Sequence, residues 1–169
     1  MKKLALILFA AALCPVLRAQ DNTAALKQLL DGNRVSFKYS LTMQDKVQVR
    51  TNGTALIDGE CYSISGNGLE IYCDGSTKWT IDSEAREVYL ESSEGTREFL
   101  ADPAAWLELV HNLTVGEKAV SGVYRDPAQG TEISFRFTSI SSSPQSGSTS
   151  GFVFDTSSLG PGWVVTDLR

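Results

Sequence analysis

One histidine, His111, and three cysteines among 169 residues remove several kinds of chemistry at once. A lone imidazole cannot build a His-rich metal site. Cys61 and Cys73 have only His111 as a further nitrogen ligand, so neither a structural zinc nor any other metal or cofactor is expected. The sequence also lacks the H-E-x-x-H, P-loop and G-x-S-x-G spacings that place a metal, a phosphate or a nucleophilic serine. His111 falls at the end of an expected helix, where it reads as a partner for the helix dipole rather than a base. Asp82, Glu84, Glu91 and Glu94 invite a glycosidase reading. They fall in turns and strand ends of an acidic chain, where solvated carboxylates are the ordinary outcome. The expectation is a protein that is not an enzyme.

Long apolar runs are also missing after residue 13. The run at residues 4–13 follows Lys2 and Lys3 and precedes Leu17-Arg18-Ala19, the pattern of an export signal cleaved after Ala19 and too short to span a bilayer. Cys14 would suit lipid attachment only after a small residue, and Leu13 is not small. The expected organisation is a signal peptide over residues 1–19 and one domain over residues 20–169, released as a soluble monomer into the periplasm. Loss of Lys2, Lys3 and Arg18 leaves 12 basic against 20 acidic residues, a net charge near −8. That balance argues against nucleic acid and against docking on anionic membranes.

Residues 21–33 read as a short helix capped by Asn22 or Thr23, with Leu26, Leu29 and Leu30 as its apolar stripe and Gly32 as its stop. A strict alternation follows. Val35, Phe37, Tyr39, Leu41 and Met43 interleave with Ser36, Lys38, Ser40 and Thr42, so one face is buried and the other wet. Further strands are expected over residues 47–57, 60–64, 69–73, 78–81, 87–90, 119–124, 132–140, 151–154 and 163–168. Most are joined by short turns and are therefore antiparallel neighbours. Asn52-Gly53 marks a bulge or bend. Residues 97–100 form a strand or lead into a second helix over 103–112. Asp102-Pro103 starts that helix, which offers Trp106, Leu107 and Val110 on one side. Residues 141–150 are a Ser/Gly/Pro loop. The expected fold is mainly β (α+β), about ten strands in a curved, incompletely closed antiparallel barrel or sheet, with two short helices over its concave face.

Cys61 and Cys73 flank Gly66-Asn67-Gly68, and two registers are open. A three-residue loop centred on Asn67 sets the cysteines opposite each other, ready to bridge in an oxidising compartment. A two-residue Asn67-Gly68 type I′ turn instead puts Tyr62, Ile64, Leu69, Ile71 and Cys73 on one apolar face and turns Cys61 away. Patterning favours the second register; the compartment favours the first and tips the expectation to a bridge.

Three stretches in order carry a resemblance: the opening helix with its alternating strand, Asp74-Gly75-Ser76-Thr77-Lys78-Trp79, and the C-terminal end. That end reads Phe152-Val153-Phe154-Asp155, then Gly160-Pro161-Gly162-Trp163-Val164-Val165-Thr166-Asp167-Leu168-Arg169. Together they resemble the LolA-like periplasmic lipoprotein carriers, the shorter Bacteroidota type in particular. The resemblance implies a protein that takes acylated lipoproteins from an inner-membrane lipoprotein-releasing transporter. It would shield their acyl chains in an apolar cavity and pass them to an outer-membrane acceptor. The lining so implied is Phe37, Tyr39, Leu41, Tyr62, Ile64, Leu69, Ile71, Trp79 and Ile81, with Phe135 and Phe137, under a lid of Trp106, Leu107 and Val110. The Arg-Pro-Gly stretch that many members carry in an early strand has no counterpart in residues 54–62, so its lid-holding Arg is not carried over. Two alternatives use the same residues: a lipid-sensing or amphiphile-binding envelope module on this fold, and a surface β-domain whose core is filled.

Overall fold

The alternation from Val35 to Met43 produces a long hairpin, in which β1 (Asn33–Gln44) runs antiparallel to β2 (Gln48–Asp58) in register from Arg34↔Asp58 to Gln44↔Gln48. The computed structural model describes residues 14–44, 48–95, 98–126 and 130–169. From β2 the sheet continues as a meander through β3 (Cys61–Gly66), β4 (Leu69–Cys73), β5 (Thr77–Asp82) and β6 (Glu87–Ser92). On the other side of β1 lie β9 (Glu132–Pro144), β8 (Ala119–Arg125) and β7 (Val110–Val115). The short β10 (Val164–Asp167) returns parallel to β6. The order β10-β6-β5-β4-β3-β2-β1-β9-β8-β7 makes one curved, open, mostly β sheet of ten strands. Among the described residues one α-helix, α1 (Cys14–Leu30), packs mainly against β1 and β7.

Turn chemistry fixes the meander. Asn67 (φ 51°) and Gly68 (φ 81°) adopt the left-handed pair that a type I′ turn requires. Asp74 accepts from Ser76 N, Ser76 Oγ and Thr77 N at 2.8–2.9 Å, and Asp82 accepts from Glu84 N and Ala85 N in the same way.

Several expectations change. The second helix is not formed: residues 103–106 are turns, Leu107–Leu109 is a single 3-10 turn, and Val110 opens β7. Residues 110–115 (Val-His-Asn-Leu-Thr-Val) carry β-branched residues at both ends, and pairing with β8 overrides the Asp102-Pro103 start signal. His111 therefore lies exposed on a strand, not at a helix end. Residues 151–154 are not a strand, whereas Ser141–Pro144 of the expected loop extend β9 alongside Asn33–Ser36. The irregularity lies in β1/β9 between Ser36 and Lys38, where Ser139 has φ 52°. Asn52-Gly53 pairs in register with no bulge. Residues 98–100 are irregular, and Arg97 lies outside the described residues. No Cys61–Cys73 disulfide forms: the two-residue turn pairs Cys73 with Tyr62 and Cys61 with Asp58, which points the two side chains to opposite faces. The helix starts at Cys14, ahead of residue 21, and ends at Leu30 as Gly32 takes φ 66°. Residues 1–13 of the expected export signal lie outside the described residues.

Candidate functional site

Antiparallel pairing carries the apolar face of β1 across its neighbours. Phe37 stands opposite Ala55, which faces Ile64, which faces Ile71; on the other flank Tyr39 faces Phe137 and Leu41 faces Phe135. The result is a single cluster with Val35, Phe37, Tyr39, Tyr62, Ile64, Val120, Tyr124, Phe135 and Phe137 all buried. Each such side chain contributes about 1.5–3 kcal/mol of burial. Rings dominate its centre. Phe37 and Phe135 lie 4.5 and 4.9 Å from Phe137, and Phe99 stacks on Tyr124 at 4.7 Å with its edge to Phe135 at 5.1 Å.

Two pieces of chain cover this face. Helix α1 contributes Leu26, Leu29 and Leu30, and residues 98–109 contribute Phe99, Leu100, Ala101, Leu107 and Trp106, the last edge-on to Tyr124 at 5.8 Å. A polar contact ties the second piece down: Tyr62 Oη donates to Glu98 Oε2 at 2.9 Å, and Lys78 Nζ donates to Glu98 Oε1 at 3.2 Å while also pairing with Glu91. Burial would raise the Glu98 carboxyl. Its own backbone N–H, the Tyr62 hydroxyl and the Lys78 charge outweigh that and hold it below the usual carboxylate range. At the far side the Tyr39 ring crosses two glycines, and its hydroxyl donates to Ser65 O at 3.3 Å. A Cβ at Gly53 would stand 1.9 Å from Ser65 O, and one at Gly66 would stand 2.5 Å from the Tyr39 hydroxyl. Gly122 makes the same room for Phe135.

Eleven of the expected lining and lid residues meet here: Phe37, Tyr39, Leu41, Tyr62, Ile64, Ile71, Trp106, Leu107, Val110, Phe135 and Phe137. Three do not. Leu69, next to the Asn67-Gly68 turn, is 46% exposed. Trp79 and Ile81 lie on the opposite face, because the Asp74 turn pairs Trp79 with Tyr72 and Thr80 with Ile71. There they form a second cluster with Val88 and Leu90, covered by Phe154, Leu159 and Trp163 of the C-terminal stretch. Fully buried Phe152 packs apart from that cluster, under Arg34, whose guanidinium sits 5.5 Å from its ring and pairs with buried Asp58. Sequence reasoning missed Tyr124 and Phe99. Tyr124 was legible as the third member of the Val120, Gly122, Tyr124 alternation; Phe99, in irregular chain, had no periodic signal.

Under the cover, among the described residues, one small apolar cavity lies against α1. The cavity among Leu26, Leu29, Leu30, Val35, Phe37, Pro103 and Phe137 holds about 10 Å³, room for one water at most. A cleft of about 450 Å³ adjoins it between the end of α1, Gly59-Glu60 and residues 102–104. A third hollow, about 420 Å³, lies on the opposite face among Ser36, Thr54, Ser63, Ser65 and Tyr72. Among the described residues no group of His, Cys, Asp and Glu could hold a metal ion, and no helix is long and apolar enough to cross a membrane. No family model matches the chain, and no curated protein matches it either.

Proposed function

We propose that the protein carries acylated lipoproteins through the periplasm, taking their acyl chains between the helix-covered aromatic face and its cover, as a LolA-like carrier. The observation that carries this reading is the construction of the face. Eleven residues implied as lining or lid converge on one side of an open sheet, under one helix and an irregular segment rather than a second sheet. Such a cover is held by few backbone hydrogen bonds and opens at lower free energy than the strands beneath it. An acyl chain contributes about 0.8 kcal/mol per buried CH₂, on the order of 10 kcal/mol for a long chain. It replaces the contacts of Leu26, Leu29 and Leu107, so the affinity is the surplus after the cover is displaced. Non-directional burial of this kind needs no catalytic group.

The 10 Å³ cavity favours one competing reading, a surface β-domain with a filled core. Titration with an apolar fluorescent dye, followed by competition with a triacylated lipopeptide and its deacylated form, separates the two. Displacement by the acylated peptide alone supports the carrier. No dye uptake by a cooperatively folded protein establishes the filled core.

A further inference from the structure

We propose that acyl chains reach the aromatic face through the cleft at the C-terminal end of α1, with Leu30 as the gate; this rests on the acyl-chain reading above. Leu30 stands between the 450 Å³ cleft and the 10 Å³ apolar cavity behind it and borders both. Pro103 lines the cavity while its neighbours Asp102 and Ala104 line the cleft. The wall between solvent and the aromatic face is therefore one leucine and one turn. Leu30 is the last residue of α1 and only half-buried. Beyond it the chain leaves the helix at Gly32, where an added Cβ would meet nothing within 4 Å. Both ends of α1 are tied: Asn22 Nδ2 donates to Leu113 O of β7 at 2.9 Å, and Asn33 Nδ2 donates to Leu29 O at 3.2 Å and to Asp31 O at 3.0 Å. Opening is thus a rotation of the Leu30 side chain into the adjoining cleft rather than a movement of the helix. The rim suits an acylated peptide, because Lys27, Asp31, Glu60 and Gln145 offer donors and acceptors to its amides while the throat behind is apolar.

A gate changes rates without changing the bound state, which a lining residue cannot do. Binding and release of a fluorescent palmitoyl lipopeptide are followed by stopped flow for wild type, Leu30→Ala and Ala104→Trp. Leu159→Ala, on the opposite face, controls for lost stability, and thermal unfolding is recorded for each. Leu30→Ala should raise association and dissociation together by about tenfold, the worth of one half-buried leucine in a passage barrier, with Kd unchanged. Ala104→Trp should slow both. Wild-type rates in both variants, with binding intact, overturn the gate and leave the carrier reading standing. A Kd that rises without a change in association rate makes Leu30 a lining residue, which also overturns the gate. No binding by the wild-type protein overturns the carrier reading, and the gate with it.

Discussion

Tyr39 lies flat across the sheet only because Gly53 and Gly66 leave space beneath its ring. Gly53→Ala puts a methyl against backbone, which cannot yield as a side-chain tip can, so a loss of about 3 kcal/mol is expected in urea unfolding. A loss below about 0.5 kcal/mol would show that the ring has room to move. Asp58 is the second such residue. Its carboxylate, 2% exposed, accepts from Arg34 and from the backbone and hydroxyl of Ser146. Asp58→Ala leaves those donors facing a gap and should cost about 2–4 kcal/mol, with the unfolding slope unchanged. Trp79 separates the two faces by function. Trp79→Ala should lower stability by about 3–5 kcal/mol yet leave amphiphile affinity at the wild-type value in the folded fraction, because its ring packs with Tyr72 and Leu90 and not with Phe37.

Among elements, the cover over residues 98–109 responds to acid. The Glu98 carboxyl titrates lower in the folded protein than its ordinary 4.5. Its contribution is therefore complete above that value and lost as pH falls through the lowered one. At the alkaline end burial raises Tyr39 and Tyr124, and burial with the neighbouring Glu70 pushes Tyr72 up to about 12. A raised tyrosine stabilises below its unfolded value of 10 and loses that contribution as pH rises through the folded one. Urea midpoints should hold level from about pH 5 to about pH 9 and fall on both sides; for Glu98→Gln the acid fall should be shallower. The β3–β4 hairpin supplies another check. With no Cys61–Cys73 bridge, thiol reagent should modify both cysteines in the denatured, unreduced protein, while buried Cys73 should stay protected in the native state. At this scale the sequence was largely readable. The bounds of β4 were legible to the residue, since turn residues at Asn67-Gly68 and Asp74-Gly75 punctuate a short apolar run. The Asp102-Pro103 signal misled because a start signal is local, while β7 is made by pairing with β8, which β9 in turn joins to β1.

For the whole molecule the decisive quantity is parity. Every pairing preserves the face, so a one-residue change in one turn moves all later side chains to the other side of the sheet. A three-residue turn, 74–76, would pair Cys73 with Thr77 and send Trp79 and Ile81 to the face of Ile71; the turn instead spans four residues, 74–77, pairs Cys73 with Lys78 and sends them to the face of Tyr72. Apolar spacing marks both clusters as buried but does not say that there are two, because alternation in one strand carries no information about which face its neighbour shares. The C-terminal stretch was equally opaque: Phe152 under Arg34 and Phe154 against the Trp79 cluster are held on irregular chain, with no period to announce them. The three tryptophans divide along the same line, Trp106 in the cover of the aromatic face and Trp79 and Trp163 in the cluster behind the sheet. The central claim is that acyl chains enter on the Trp106 side, and a lipopeptide brominated along its palmitoyl chain tests it directly by quenching. In Trp79→Phe/Trp163→Phe, where Trp106 alone emits, fluorescence should fall as the lipopeptide binds, whereas Trp106→Phe should keep its emission. Quenching confined to Trp79 and Trp163 would place the chain on the wrong face and contradict the account.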